Sequence, residues 1–197
     1  MHATGNRWLA GCLAAALACF TSAASAQWEL DSERSRFTFI SVKNASMGES
    51  HTFSSLTGSV GQDGSASVKI ELDSVETAIP IRNERMREML FETGSFPAAT
   101  ILGNVEPSII RQADSAPTLA TVPLTVELHG NSATYDAAML VTRAEDGSLH
   151  VSTREPIVVD AGDFDLGAGV TALKEVAGLA SISTSVPVSA YLVFDPA

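Results

Sequence analysis

Residues 182 to 194 read I-S-T-S-V-P-V-S-A-Y-L-V-F. Ile182, Thr184, Val186, Val188, Ala190, Leu192 and Phe194 share one parity; Ser183, Ser185, Ser189 and Tyr191 share the other. A period of two belongs to an extended strand with one apolar and one wetter face. The run is long for a strand in a flat sandwich, whereas barrels use long, tilted ones. The same period recurs at Val68, Ile70 and Leu72, at Val122 to Leu128, and at Ala137, Met139 and Val141. Gly61-Gln62-Asp63-Gly64, Gly130-Asn131 and Glu145-Asp146-Gly147 punctuate these runs as turns. Such short turns favour antiparallel hairpins. The count is about eight strands, within the error of such counting. A mainly β, closed antiparallel barrel satisfies the pattern, with a sandwich as the alternative.

The rest of the chain fills in around these strands. Ser35 to Lys43 places Phe37 and Phe39 on one face, then Ile40 and Val42 on the other, which predicts a strand buried on both sides or bent near Ile40. Asn44 to Ser50 reads as a turn, His51 to Val60 as the second strand, and Ile109-Ile110 as a short strand. Val170 to Leu179 has helical spacing at Val170, Leu173, Val176 and Ala177, with Gly178 as its stop.

Val75 to Ile101 interrupts the β pattern with a charged helix. Met86, Met89 and Leu90 form an i, i+3, i+4 stripe, with Asn83 as the N-cap and Gly94 as the C-terminal stop. Phe91 falls off the stripe at helical spacing. A helix striped in this way must cover apolar space, and on a small barrel that place is an open mouth or a seam.

The first 26 residues have the form of an export signal. Arg7 precedes an apolar run from Leu9 to Phe20, and Ala24-Ser25-Ala26 fits a signal-peptidase site. The expected mature domain is therefore 27–197. Leu9-Ala10-Gly11-Cys12 resembles a lipobox but lies before the apolar run. Cys12 and Cys19 both fall in the leader, which would leave the mature chain without disulfides or thiol chemistry. Without Arg7, 11 Lys+Arg stand against 23 Asp+Glu, a net charge of −12. Such a balance argues against nucleic acid and against an anionic bilayer as partners.

Motifs for catalysis are weak. His51, His129 and His150 lie far apart, lack metal-site spacing, and are expected to face solvent. Neither a nucleophile elbow nor a phosphate loop is present. Asp160, Asp163 and Asp165 match no complete calcium loop.

The stretch L-D-S-V-E-T-A-I-P-I-R-N-E-R-M-R-E-M-L-F-E-T-G-S-F-P-A-A-T-I resembles the signature of the YceI-like family. The match is carried by Leu72 to Thr77, Arg82, Phe96-Pro97 and Ala98 to Ile101. It is supported by Trp28 to Phe39, Leu128-His129-Gly130 and Leu179 to Phe194. Asn83 stands where the family usually has Asp, and Asn131-Ser132-Ala133 replaces its common Val-Thr-Lys. The resemblance implies an extended, lipocalin-like barrel in the bacterial periplasm. Its apolar pocket would hold a polyisoprenoid, an isoprenoid quinone or another long-chain amphiphile, without a catalytic residue set or cofactor. A membrane b-type cytochrome is among the partners it implies, and a homodimer is kept open. In such a barrel the apolar parity points inward, which selects Phe37, Phe39, Phe53, Ile70, Val126, Met139, Val151, Val188 and Leu192 as ligand-facing. The helix adds Met86, Met89 and Leu90. Plain core packing is the competing reading of each. An interaction protein with a packed core and an enzyme acting on a lipid-like substrate are the competing readings of the whole chain.

Overall fold

Alternation is realised as pairing. The structure is a computed structural model that describes residues 26–197. Its strands are β1 (Ala26–Leu30), β2 (Arg36–Lys43), β3 (Met47–Phe53), β4 (Leu56–Gly61), β5 (Ser65–Glu71) and β6 (Val75–Glu76). They continue with β7 (Ala98–Asn104), β8 (Thr118–Leu128), β9 (Asn131–Arg143), β10 (Leu149–Thr153), β11 (Ile157–Asp160) and β12 (Ser185–Pro196). Three helices punctuate them: α1 (Pro80–Arg85), α2 (Pro107–Gln112) and α3 (Gly167–Val176).

Eight strands form a closed antiparallel ring in the order β1-β4-β5-β7-β8-β9-β10-β12, with β12 returning to β1. Of the alternating residues 182–194, those from Ser185 on belong to β12, the strand on which everything converges, while Ile182 makes only an isolated bridge to Lys43. One half of β12 pairs with β1 and β10, through Trp28↔Pro196 and Leu149↔Phe194. The other half pairs with β2 and β11, through Phe39↔Val188 and Ile157↔Val188. Beyond the ring, β3 continues from β2 and β6 from β3, which lengthens the barrel on one side. The barrel is therefore extended and lipocalin-like, as the pattern and the resemblance led one to expect.

The β8–β9 hairpin shows how locally the topology is encoded. His129 and Gly130 both take left-handed backbone, with φ of 51° and 76°. That is the two-residue turn whose twist matches the flanking strands. Trp28 is 4% exposed and donates from Nε1 to the Gly147 carbonyl at 3.1 Å. The Arg143 guanidinium lies over its ring at 4.9 Å.

Several local expectations are corrected. His51 to Val60 is two strands: β3 ends at Phe53 between β2 and β6, and β4 begins at Leu56 between β1 and β5. The turn expected over Asn44 to Ser50 is shorter, with Asn44 and Ala45 in left-handed backbone, and β3 already begins at Met47. Ile109-Ile110 is helical: Pro107 opens α2, and Ile110 turns into the core at 6% exposure. Burial of one isoleucine outweighs the strand propensity of two. Asn83 lies inside α1 and is no N-cap. Its Oδ1 accepts from Thr77 N at 2.9 Å and Thr77 Oγ1 at 2.5 Å, tying the helix to the end of β6. Glu92, with φ 48°, takes the left-handed position expected of Gly94.

Candidate functional site

Parity directs the apolar side chains of the ring inward, and they do not fill the interior. A cavity of about 260 Å³ remains. That far exceeds the roughly 10–15 Å³ that one water needs, and it approaches the roughly 300 Å³ where small-molecule sites begin. Nearly every strand contributes to the wall, from Phe37 and Phe39 on β2 to Leu192 and Phe194 on β12. Ile110 of α2 joins the wall in one cluster with Val105; Leu90, Leu166 and Val170 join it with Val126 and Leu128; and Phe91 joins it 5.8 Å from the Phe53 ring. Its few polar side chains are Ser67, Tyr135 and Thr153. Tyr135 donates to Asp163 Oδ2 at 2.7 Å, and Thr153 Oγ1 accepts from Ala190 N at 3.2 Å. A wall of this kind selects for apolar length.

Ten of the side chains expected to face a ligand are on the wall: Phe37, Phe39, Phe53, Ile70, Leu90, Val126, Met139, Val151, Val188 and Leu192. Met86 and Met89 are not. The reason lies in the helix geometry. After α1 the chain widens into a π-helical turn over Met86–Leu90, where Phe91 N–H bonds the Met86 carbonyl at 2.9 Å. An i to i+5 bond puts Met86 and Phe91 on one face, and each is 6% exposed. Phe91 thereby reaches the cavity, Met86 packs in the core, and Met89 is only half-buried. The 3.6-residue stripe read from the sequence does not exist in this form.

The π-turn is held by α3. A Cβ on Gly169 would fall 2.6 Å from the Met89 carbonyl oxygen and 2.9 Å from Leu90 Cα, so only glycine permits this approach. Phe164 and Tyr135, also on the wall, escaped the parity argument. Phe164 sits in a Gly/Asp-rich segment without period, now a 3-10 turn over Ala161–Phe164. The aspartates around it serve that turn: Asp160 Oδ1 accepts from Gly162 N at 2.7 Å, and Asp165 adopts φ 57°.

One end of the inner surface is polar. Across β2 and β3 the register is Phe37↔Phe53, Phe39↔His51 and Ser41↔Glu49. The face that carries phenylalanines thus continues into His51, Ser41 and Glu49. Glu49 accepts from Lys43 Nζ at 2.9 Å and from Arg82 Nη1 at 2.5 Å, and these bonds, that of Lys43 foremost, hold its carboxyl below the usual range. Arg82 Nη2 donates to the Thr77 carbonyl at 2.6 Å. His51 does not face solvent as expected: it is 4% exposed, 5.2 Å from the Phe39 ring, and its Nε2 lies 2.8 Å from Ser41 Oγ. Burial first, then the Arg82 charge, pushes its pKa down. His129 packs on Phe96 at 4.2 Å, and His150 bonds Tyr191 Oη at 3.0 Å. Among the described residues no cluster of three His, Cys, Asp or Glu could hold a metal.

A family model of the YceI-like domain matches residues 28–194. The chain belongs to the YceI-like family. A polyisoprenoid binding domain from Saccharophagus degradans, implicated in plant cell wall breakdown, is 33% identical. It superposes with a TM-score of 0.84 over 88% of this chain and 100% of that one. BcnA of Burkholderia cenocepacia shares 15% identity, with a TM-score of 0.64 over 83% of this chain and 98% of that one. The YCEI protein of Campylobacter jejuni shares 12%, with a TM-score of 0.52 over 73% and 82%. These last two carry the YceI-like fold alone. No curated protein matches the sequence at a significant level.

Proposed function

We propose that this YceI-like chain is a non-catalytic carrier that holds a polyisoprenoid, or a similar long-chain amphiphile such as an isoprenoid quinone. The observation that carries the reading is the apolar cavity enclosed by the ring. Each methylene moved from water to such a wall contributes about 0.8 kcal/mol, so a long chain binds without a demanding polar site. A barrel filled by its own side chains would have favoured the packed-core interaction protein instead. The 33% identical relative, a polyisoprenoid binding domain, supports the same ligand class. Residues 1–26, of which 1–25 lie outside the described part, are read as a leader that delivers 27–197 to the periplasm. A membrane b-type cytochrome is the first protein partner to test, and self-association the second.

The decisive experiment expresses the full chain in a bacterium, isolates it gently and examines it by native mass spectrometry. The expected species begins at Gln27 and carries a long-chain lipid that organic extraction releases and identifies. Folded protein that carries no lipid and takes up none when offered would overturn the carrier reading.

A further inference from the structure

The cavity wall reads apolar length and leaves the polar head of an amphiphile unread. The inner face of β2 and β3 offers the exception. His51 is almost fully buried, with Nε2 against Ser41 Oγ, yet its Nδ1 has no partner. Arg82 commits Nη1 to Glu49 and Nη2 to the Thr77 carbonyl, and its buried Nε has none. Buried polar atoms are nearly always paired, so two orphaned nitrogens in one cluster call for an explanation. In the tautomer with the His51 ring proton on Nδ1, Ser41 Oγ donates to Nε2 and both orphans are donors. Glu49 is already bonded to Lys43 and Arg82, which leaves the group of Lys43, Glu49 and Arg82 with one positive charge in excess. The cavity ends beside this cluster: Phe39 and Val188, paired across β2 and β12, and Val186 further along β12 are on its wall, while Ser41, His51 and Arg82 lie beyond it, His51 5.2 Å from the Phe39 ring.

We propose that His51 and Arg82, with Ser41 behind them, form the head-binding end of the site. The group recognised is an acceptor oxygen of a long-chain amphiphile, whether carbonyl, hydroxyl or carboxylate, while its tail lies along the apolar wall. This deepens the carrier reading and rests on it. It makes His51 a specificity residue: one that decides which chains are kept, while the wall decides how tightly a chain is held. Phe39, which is on the wall and packs its ring against His51, marks where tail gives way to head.

The test uses delipidated full chain and three probes of equal length: hexadecane, hexadecanol and hexadecanoic acid. Relative to the native protein, His51→Phe weakens hexadecanol and hexadecanoic acid about tenfold, the loss expected for one hydrogen bond to a buried donor. It leaves hexadecane unchanged or tighter. His51→Gln, which keeps a donor, restores most of the preference. In the native protein the 15N resonance of His51 Nδ1 shifts on loading with hexadecanoic acid and not with hexadecane. Equal weakening of all three probes by His51→Phe would assign a purely structural role and overturn the inference. So would unchanged binding of the two oxygen-bearing probes. A native protein that takes up none of the three removes the carrier reading and this inference with it.

Discussion

β8 and β9 pair without interruption from Thr118↔Val141 to Leu128↔Asn131, whereas the far end of the barrel is closed by pieces. There α1 has six residues, the π-turn five, and α3 buries no side chain fully. β11 pairs only with β12, so the first half of β9 meets the 3-10 turn through side chains, with Tyr135 bonded to Asp163 and near Phe164 at 6.4 Å. The β8–β9 pair is held by an unbroken ladder. The lid end is held by a few side-chain contacts and one close approach at Gly169. Rigidity and access are thus divided between two parts of one molecule, and regions with few buried contacts are those that open first.

The comparison breaks most visibly at Trp28, where β1 closes the ring. Trp28→Ala is expected to cost about 3–5 kcal/mol, as for other buried tryptophans. Leu173→Ala in α3, which is half-buried, is expected to cost about 1 kcal/mol. Urea midpoints measure both, and near-equal losses would dissolve the distinction between ring and lid. Within the lid, Met86→Ala is expected to cost about 2–4 kcal/mol and Met89→Ala under about 1 kcal/mol. The reverse order would mean that an ordinary α-helical stripe, and not the π-turn, sets the packing.

Smaller effects sharpen the seam. Tyr135→Phe removes the bond to Asp163 and is expected to cost about 0.5–1.5 kcal/mol. Burial and Asp163 push the Tyr135 phenol from 10.0 up to about 12. Its contribution is therefore complete below pH 10 and is lost as pH rises towards 12. A late phenolate absorbance step that vanishes in Tyr135→Phe would show it. His51 acts at the other extreme. Its pKa lies below the ordinary 6.5, so the unfolded chain takes up the proton first, and stability falls as pH drops through 6.5. His51→Gln should flatten that part of the acid limb in a series of thermal melts.

What could be read in advance follows the same division. Val122 to Leu128 and Ile182 to Phe194 announce their inward faces because a period of two survives wherever a strand has one apolar side. Ten wall residues were accessible to that argument, Leu90 through the helix stripe. Phe91 was not, because one i to i+5 bond shifts the helix face and leaves no mark in composition. Phe164 was not, since a 3-10 turn has no period to detect. His51 was misplaced for a subtler reason. It shares parity with Phe53 and faces inward, but a histidine among serine and glutamate reads as solvated. Ile109 and Ile110 misled through local propensity, which the packing of α2 overrides.

The position of β12 has a consequence for how the protein is made. Four strands, β1, β2, β10 and β11, lean on residues 185 to 196, and Trp28 has no ladder partner on that side until Pro196 exists. The ring cannot close before residues 185 to 196 have been made, however early its first hairpins form. Closure joins residues at opposite ends of the described chain, which makes it a late and slow event. A nascent chain of this kind stays open, and therefore threadable, until β12 is complete.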